Sequence, residues 1–151
     1  MPKKSFVNLK HARTKEQIEV MTRIEKDGVC PFCMEHFLKY HPKPLIKENK
    51  NWVVTENMSP YEGSVYHFLF VCKRHLTLPT DLTDEEKKSL FDLINTMIKD
   101  NSIAGGSIVI RFGDTRFTGA SVDHFHAHLV IGDTNDENRE ALKTKIGYKK
   151  A

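Results

Sequence analysis

The stretch His124-Phe125-His126-Ala127-His128-Leu129-Val130 alternates histidine with apolar residues. Strand side chains project to opposite faces with a period of two. The alternation therefore predicts a strand over 123–131. One face carries three imidazoles, about 7 Å apart in successive steps. The other turns Phe125, Ala127 and Leu129 into a core. Imidazole is the side chain whose ordinary pKa lies nearest neutrality. An unprotonated ring nitrogen can attack phosphorus, and a neighbouring ring can donate to phosphate oxygens. Three histidines at this spacing can also bind zinc, although alternate strand positions supply two ligands more easily than three.

The rest of the chain is patterned to surround such a strand. Ile18, Met21 and Ile24 predict a helix over 14–27 that stops at Gly28. Val29 to Cys33 reads as a tight loop, and Pro42 and Pro44 predict that most of 34–50 is irregular. Trp52 to Thr55 and Val65 to Cys72 read as strands, separated by the turn-like Asn57-Met58-Ser59-Pro60. Thr83-Asp84-Glu85-Glu86 is a capping-box sequence, followed by the apolar stripe Leu90, Phe91, Ile94, Met97 and Ile98. Ser107 to Phe112 reads as a further strand. The tail is ambiguous: 137–143 has helical character and 144–148 alternates. Hairpin-like strands with one long helix make the class α+β.

Composition narrows the setting. A chain of 151 residues with 39% apolar and 28% charged residues suits one folded domain with a real core. No apolar run approaches 18 residues, so no transmembrane helix and no membrane partner are expected. The start, Met1-Pro2-Lys3-Lys4-Ser5, lacks the apolar region of a secretory signal. Three cysteines, Cys30, Cys33 and Cys72, with no export signal argue for a reducing compartment and a cytoplasmic protein. The net charge of +3 permits an anionic ligand but makes nucleic acid an unexpected partner. The basic residues of 1–13 read as a loose, solvated arm.

The histidine row, led by Gly119-Ala120-Ser121-Val122, resembles the signature of the histidine triad family of nucleotide hydrolases and transferases. Upstream, Tyr66 to His75 resembles the family's His-Phe-Leu-Val-x-Pro-Lys-Arg-His strand, and Asn57 to Pro60 its nucleoside-binding turn. The resemblance runs from about Cys30 to Ile131 in the family's order. It implies a histidine-triad-like α+β fold: an antiparallel sheet presents the row, with the long helix packed on it and an N-terminal helix added. Residues 1–29 form the arm and helix, 30–135 the domain, and 136–151 a tail packing on it. It further implies a nucleotide substrate, a homodimer and His126 as the nucleophile at an α-phosphorus. His128 would hydrogen-bond the phosphoryl oxygens, His67 would complete the cluster, and Ser121 would stand near the phosphate or the leaving group. Gly119 would add backbone contacts and Asn57 would take the ribose. The sequence departs from the pattern at Gly113, where many members have Asn, and at Cys72, where Pro is usual. Arg111 and Arg116, in the Gly113 loop, read either as phosphate clamps in its place or, more commonly for an arginine, as surface residues.

Some members of the family carry zinc. The matching residues here are Cys30, Cys33, His75 and His124, with His36 and His41 nearby as substitutes for His75. Four protein ligands make such a zinc structural. Two other readings compete with the hydrolase or transferase. One is a catalytically idle nucleotide- or nucleic-acid-binding module on the same fold. The other is a dithiol oxidoreductase, because Cys30-Pro31-Phe32-Cys33 is similar to the glutaredoxin motif. A thioredoxin-like fold would require a buried strand before the motif and a helix after it.

Overall fold

The computed structural model describes residues 5–134, 137 and 139–151. Five strands form one antiparallel sheet: β1 (Leu45–Glu48), β2 (Trp52–Glu56), β3 (Tyr66–Cys72), β4 (Ser107–Ile110) and β5 (His126–Ile131). Their order is β1-β2-β3-β5-β4, so β3 and β5 are central. Three helices accompany them: α1 (Lys15–Asp27), α2 (Met34–Tyr40) and α3 (Asp84–Asp100). The class is α+β, with the long helix on the sheet.

Register separates the two faces. Val71 pairs with His126, and Leu69 pairs with His128. Thus His67, Leu69, Val71, His126 and His128 share one face. The opposite face carries Trp52, Val54, Phe68, Phe70, Ala127 and Leu129 against Leu90, Leu93, Ile94 and Met97 of α3. Burying each of those helix side chains contributes roughly 1.5–3 kcal/mol. Phe37 of α2 packs beside Val53, Leu69 and Val71 on the histidine face. The sheet therefore has a dry side closed by α3 and a second side on which a site can form.

The helix ends follow their sequence signals. Thr14 accepts the N–H of Gln17 to cap α1, and Gly28 ends it in the left-handed conformation at φ 69°. At α3 the capping box is complete: Thr83 Oγ1 accepts from Glu86 N, and Glu86 Oε1 accepts from Thr83 N. Two expectations need correction. Residues 34–50 hold α2 and β1, because the helix finishes before Pro42 and the strand starts after Pro44. The arm is not loose from residue 5 on: Val7 bridges Val122, and Asn8 N–H donates to Ser121 O at 2.8 Å. Met21 and Ile24 of α1, together with Val7 and Tyr40, form a second small core. No helix among the described residues is long and apolar enough to cross a membrane.

Glu86 is 4% exposed and does more than cap. Its carboxylate accepts from Arg74 Nη2 at 2.8 Å and Arg74 Nε at 3.2 Å. The Arg74 guanidinium, then the Thr83 contacts, hold its carboxyl at about 2. A depressed folded pKa stabilises the fold above the unfolded value of 4.5, and that stability drains away as pH falls toward 2. Glu86→Gln is expected to lose about 2 kcal/mol at pH 7. Urea unfolding at pH 7 and pH 3 checks this, because the gap between variant and parent must narrow at the lower pH.

Candidate functional site

The histidine face of β3 and β5 forms the floor of a cleft of about 640 Å³. That volume suits a nucleotide-sized ligand. Its walls come from α1, the Cys30–Cys33 loop, the 57–62 turn, the 119–122 loop and the C-terminal tail.

Hydrogen bonds fix the state of each ring. His126 Nδ1 lies 2.6 Å from the carbonyl oxygen of His124, so it carries the proton and donates. The lone pair of His126 is therefore on Nε2. Tyr61 N–H donates to His67 Nδ1 at 3.0 Å, which leaves the His67 proton on Nε2. That Nε2 is 2.7 Å from His128 Nδ1 and donates to it, so His128 carries its own proton on Nε2. Burial lowers all three below the ordinary histidine value, with His67 and His126 at about 4. The face thus presents one unprotonated nitrogen beside one N–H donor, with ring centroids 5.1 Å apart. Phe32 packs edge-on against His126 at 5.1 Å.

His124 departs from the expected row. β5 begins at His126, because the preceding backbone is engaged elsewhere: Asp123 N–H bonds Phe6 O and Phe125 N–H bonds Leu76 O. The His124 ring turns away from the cleft. Its Nε2–H donates to Cys72 O at 2.6 Å, which leaves the lone pair on Nδ1, where it could bind a metal. That Nδ1 lies 3.3 Å from Cys30 Sγ, 3.8 Å from Cys33 Sγ and 3.1 Å from His75 Nδ1. Cys33 Sγ lies 3.5 Å from His75 Nδ1. All four ligand atoms fall within 4.8 Å of one another. Neighbouring ligands on a tetrahedral zinc with Zn–S and Zn–N bonds of ordinary length stand about 3.5 Å apart. The residues therefore fit the metal. His36 faces Glu35 and His41 bonds Thr55, so neither joins the cluster.

The remaining sequence candidates divide. Ser121 and Gly119 line the cleft, with Ser121 Oγ 3.4 Å from Gln17 Nε2. A Cβ on Gly119 would meet Lys145 Cβ at 2.7 Å, so the tail lies directly against this loop. Asn57 lines the cleft too and accepts the Ser59 N–H through Oδ1. Arg111 is buried and bonds Tyr61 Oη, Thr144 Oγ1 and Lys145 O. Arg116 lies outside the cleft wall, exposed and paired with Asp114. Sequence reasoning missed Arg13, Tyr61 and Phe32, which line the cleft beside Lys143, Thr144 and Lys145 of the tail. Tyr61 directly follows the turn assigned to the nucleoside, which is a usable signal. Arg13 is one of several basic residues in its segment, and nothing local marks it.

The cysteine loop has a helix after it, α2, but the element before it is α1 and not a strand. That is not the setting of a dithiol redox motif.

The family model described as "Scavenger mRNA decapping enzyme C-term binding" matches residues 30–142. No curated protein matches the chain significantly. Among solved structures, a histidine triad nucleotide-binding protein from Candida albicans is 18% identical, with a TM-score of 0.59 over 76% of this chain and 87% of that one. A zinc-bound histidine triad protein from Mycobacterium smegmatis is 21% identical, with a TM-score of 0.56 over 80% and 84%. A diadenosine triphosphate hydrolase from Plasmodium falciparum, solved with cyclomarin A, is 24% identical, with a TM-score of 0.52 over 63% and 65%. At these identities the structures share the fold.

Proposed function

The chain belongs to the histidine triad family, and from that premise we propose that it is a nucleotide hydrolase or nucleotidyl transferase acting at an α-phosphorus. The observation that carries this reading is the hydrogen bond from His126 Nδ1–H to the His124 carbonyl, which leaves Nε2 free to attack. In the first step the Nε2 lone pair forms a P–N bond. The bond from phosphorus to the leaving group breaks, and the leaving group departs with its electron pair. The nucleotidyl-histidine is an imidazolium, and its Nδ1–H donates to the same carbonyl. His128 Nε2–H donates to a non-bridging oxygen as charge builds. In the second step water attacks phosphorus, the P–N pair returns to Nε2, and water's proton goes to bulk solvent. Another acceptor, such as phosphate, replaces water in the transferase reaction. Ser121, Gly119 and Asn57 hold the phosphate and ribose in this scheme.

Zinc would be held by Cys30, Cys33, His75 and His124. With four protein ligands it would cross-link the chain and leave no open position for water. His124 then has two duties. Its ring belongs to the metal set, and its carbonyl orients the nucleophile.

A homodimer fits the sheet. Among the described residues β4 lies at its edge with one side unpaired, and Ile108 is 42% exposed there. Edge strands of this kind are open to pairing with a second chain. Sedimentation equilibrium is expected to give twice the chain mass, and Ile108→Glu to shift it to one.

The function is tested on diadenosine tetraphosphate and an adenosine phosphoramidate, each with and without added phosphate. Release of adenosine monophosphate, or of adenosine diphosphate when phosphate is the acceptor, is the expected result. No turnover of either substrate overturns the reading.

A further inference from the structure

Arg13 precedes residues 30–142 matched by the family model, and no role comes to it from there. Its backbone is fixed by the start of α1. Arg13 N–H donates to Gln17 Oε1 at 2.8 Å, next to the Thr14 cap. The side chain is thereby aimed into the cleft rather than left on a frayed arm. Arg13 Nη2 donates to Ser59 O, and the guanidinium carbon lies 4.8 Å from the centre of the Tyr61 ring.

Arg111 approaches the same ring at 5.8 Å and bonds its hydroxyl at 2.8 Å. Tyr61 in turn stacks against His128 at 5.9 Å and packs on His67 at 4.3 Å. Two guanidinium groups therefore sit one aromatic ring away from the phosphate-handling histidines. Neither pairs with a carboxylate among the described residues. Glu62, on the same wall, is exposed and joins neither of them. Lys143 and Lys145 also line the cleft, with Lys145 Nζ 5.9 Å from the centre of the Tyr148 ring. Cations gathered on one cleft without a paired carboxylate repel one another, and an anionic ligand relieves that repulsion.

The two arginines differ in what they have left to offer. Arg111 spends its donors on Tyr61, Thr144 and Lys145. Arg13 spends one on Ser59 and, among the described residues, retains the others of its five N–H groups. The His67–His128 relay points to the same class of ligand. It delivers a neutral N–H donor, not a ready acid, to the phosphorus. A leaving group that departs as a stable phosphate anion suits that site better than an amine or alkoxide, which needs a proton as it leaves.

We propose that Arg13 is a specificity-determining residue that binds a phosphate of the leaving group, so that the cleft selects substrates whose α-phosphorus is joined through an anhydride to at least one further phosphate. The proposal rests on the nucleotidyl-transfer reading above. The P–O bond of the anhydride breaks, and Arg13 neutralises the phosphate that takes the electron pair.

The test compares the full-length protein with Arg13→Ala and Arg13→Lys on diadenosine tetraphosphate and on adenosine 5′-phosphoramidate. These present the same adenylyl group with different leaving groups. Arg13→Ala is expected to lower kcat/KM for the tetraphosphate about 30-fold while changing the phosphoramidate less than about 3-fold, and Arg13→Lys to recover part of the loss. Equal falls on both substrates, or no fall on either, overturn the proposal. Binding of inorganic tripolyphosphate, read by titration calorimetry, supplies a measurement without turnover. Weakened binding in Arg13→Ala supports the anion site even if neither substrate is cleaved, in which case the hydrolase reading fails alone. Tripolyphosphate binding that is unchanged by the substitution overturns the proposal whatever the turnover.

Discussion

His126→Ala is expected to lower nucleotide turnover by roughly 10³-fold or more, to the limit of detection. The nucleophile's nitrogen is removed outright, and no other ring can replace it. His128 has its proton on Nε2 and its Nδ1 engaged by His67 at 2.7 Å. His124 has Nδ1 among the cysteines and Nε2 on Cys72 O. His67 has Nδ1 occupied by Tyr61 N–H. By contrast His128→Ala removes a donor to the phosphoryl oxygens, and its expected loss is about 10²-fold. Acid quenching in the pre-steady state with a radiolabelled α-phosphate distinguishes the two roles. The parent and His128→Ala are expected to retain label on the protein, and His126→Ala to retain none. An equal loss in both variants with label still bound to His126→Ala would overturn the assignment. The fold is expected to survive in either, because the face opposite the histidines carries the larger core.

Local patterning made most of this framework legible. The capping box at Thr83 and Glu86, the stop at Gly28 and the alternation around Ala127 each act through adjacent residues, and each appears where the pattern puts it. The helix α2 was obscured because it has only seven residues and stops just short of Pro42. Strand β1 was obscured because all four of its residues are exposed at the sheet edge, so it has no alternation to read. His124 shows a different limit. Period two continues through it in sequence, but its backbone leaves the ladder and its ring serves the cysteine cluster. Arg13 and the tail belong to a third group. Their places depend on contacts across the whole chain, such as Arg111 with Thr144 and Lys145, and no local pattern records them. The site was readable where one strand builds it and hidden where distant segments enclose it.

Removal of the zinc proposed for this cluster is expected to be the largest change in stability this chain can undergo without a change in the core. The ligands come from three separated places: the loop after α1, the segment after β3 and the bend before β5. Cys30 and His124 are 94 residues apart, so a metal joining them closes most of the chain. Without the ion, two thiols and two imidazoles are held together with no charge to justify their approach. His75 Nδ1 and His124 Nδ1, only 3.1 Å apart, then lose their common partner. The parent is expected to contain one zinc per chain by atomic emission. Chelation, or Cys30→Ser with Cys33→Ser, is expected to remove the metal and lower Tm by about 10 °C or more, corresponding to a loss of about 4 kcal/mol. A protein that holds no zinc, and whose Tm ignores chelator, would rule the site out. Activity is expected to fall with the metal, for a reason independent of unfolding. The His124 carbonyl that takes the His126 Nδ1–H belongs to a residue whose ring would be anchored by the ion. Freed from it, that carbonyl no longer holds the nucleophile in one tautomer. Restoring zinc to chelated protein at a temperature well below its Tm should therefore recover turnover even where the fold was intact throughout.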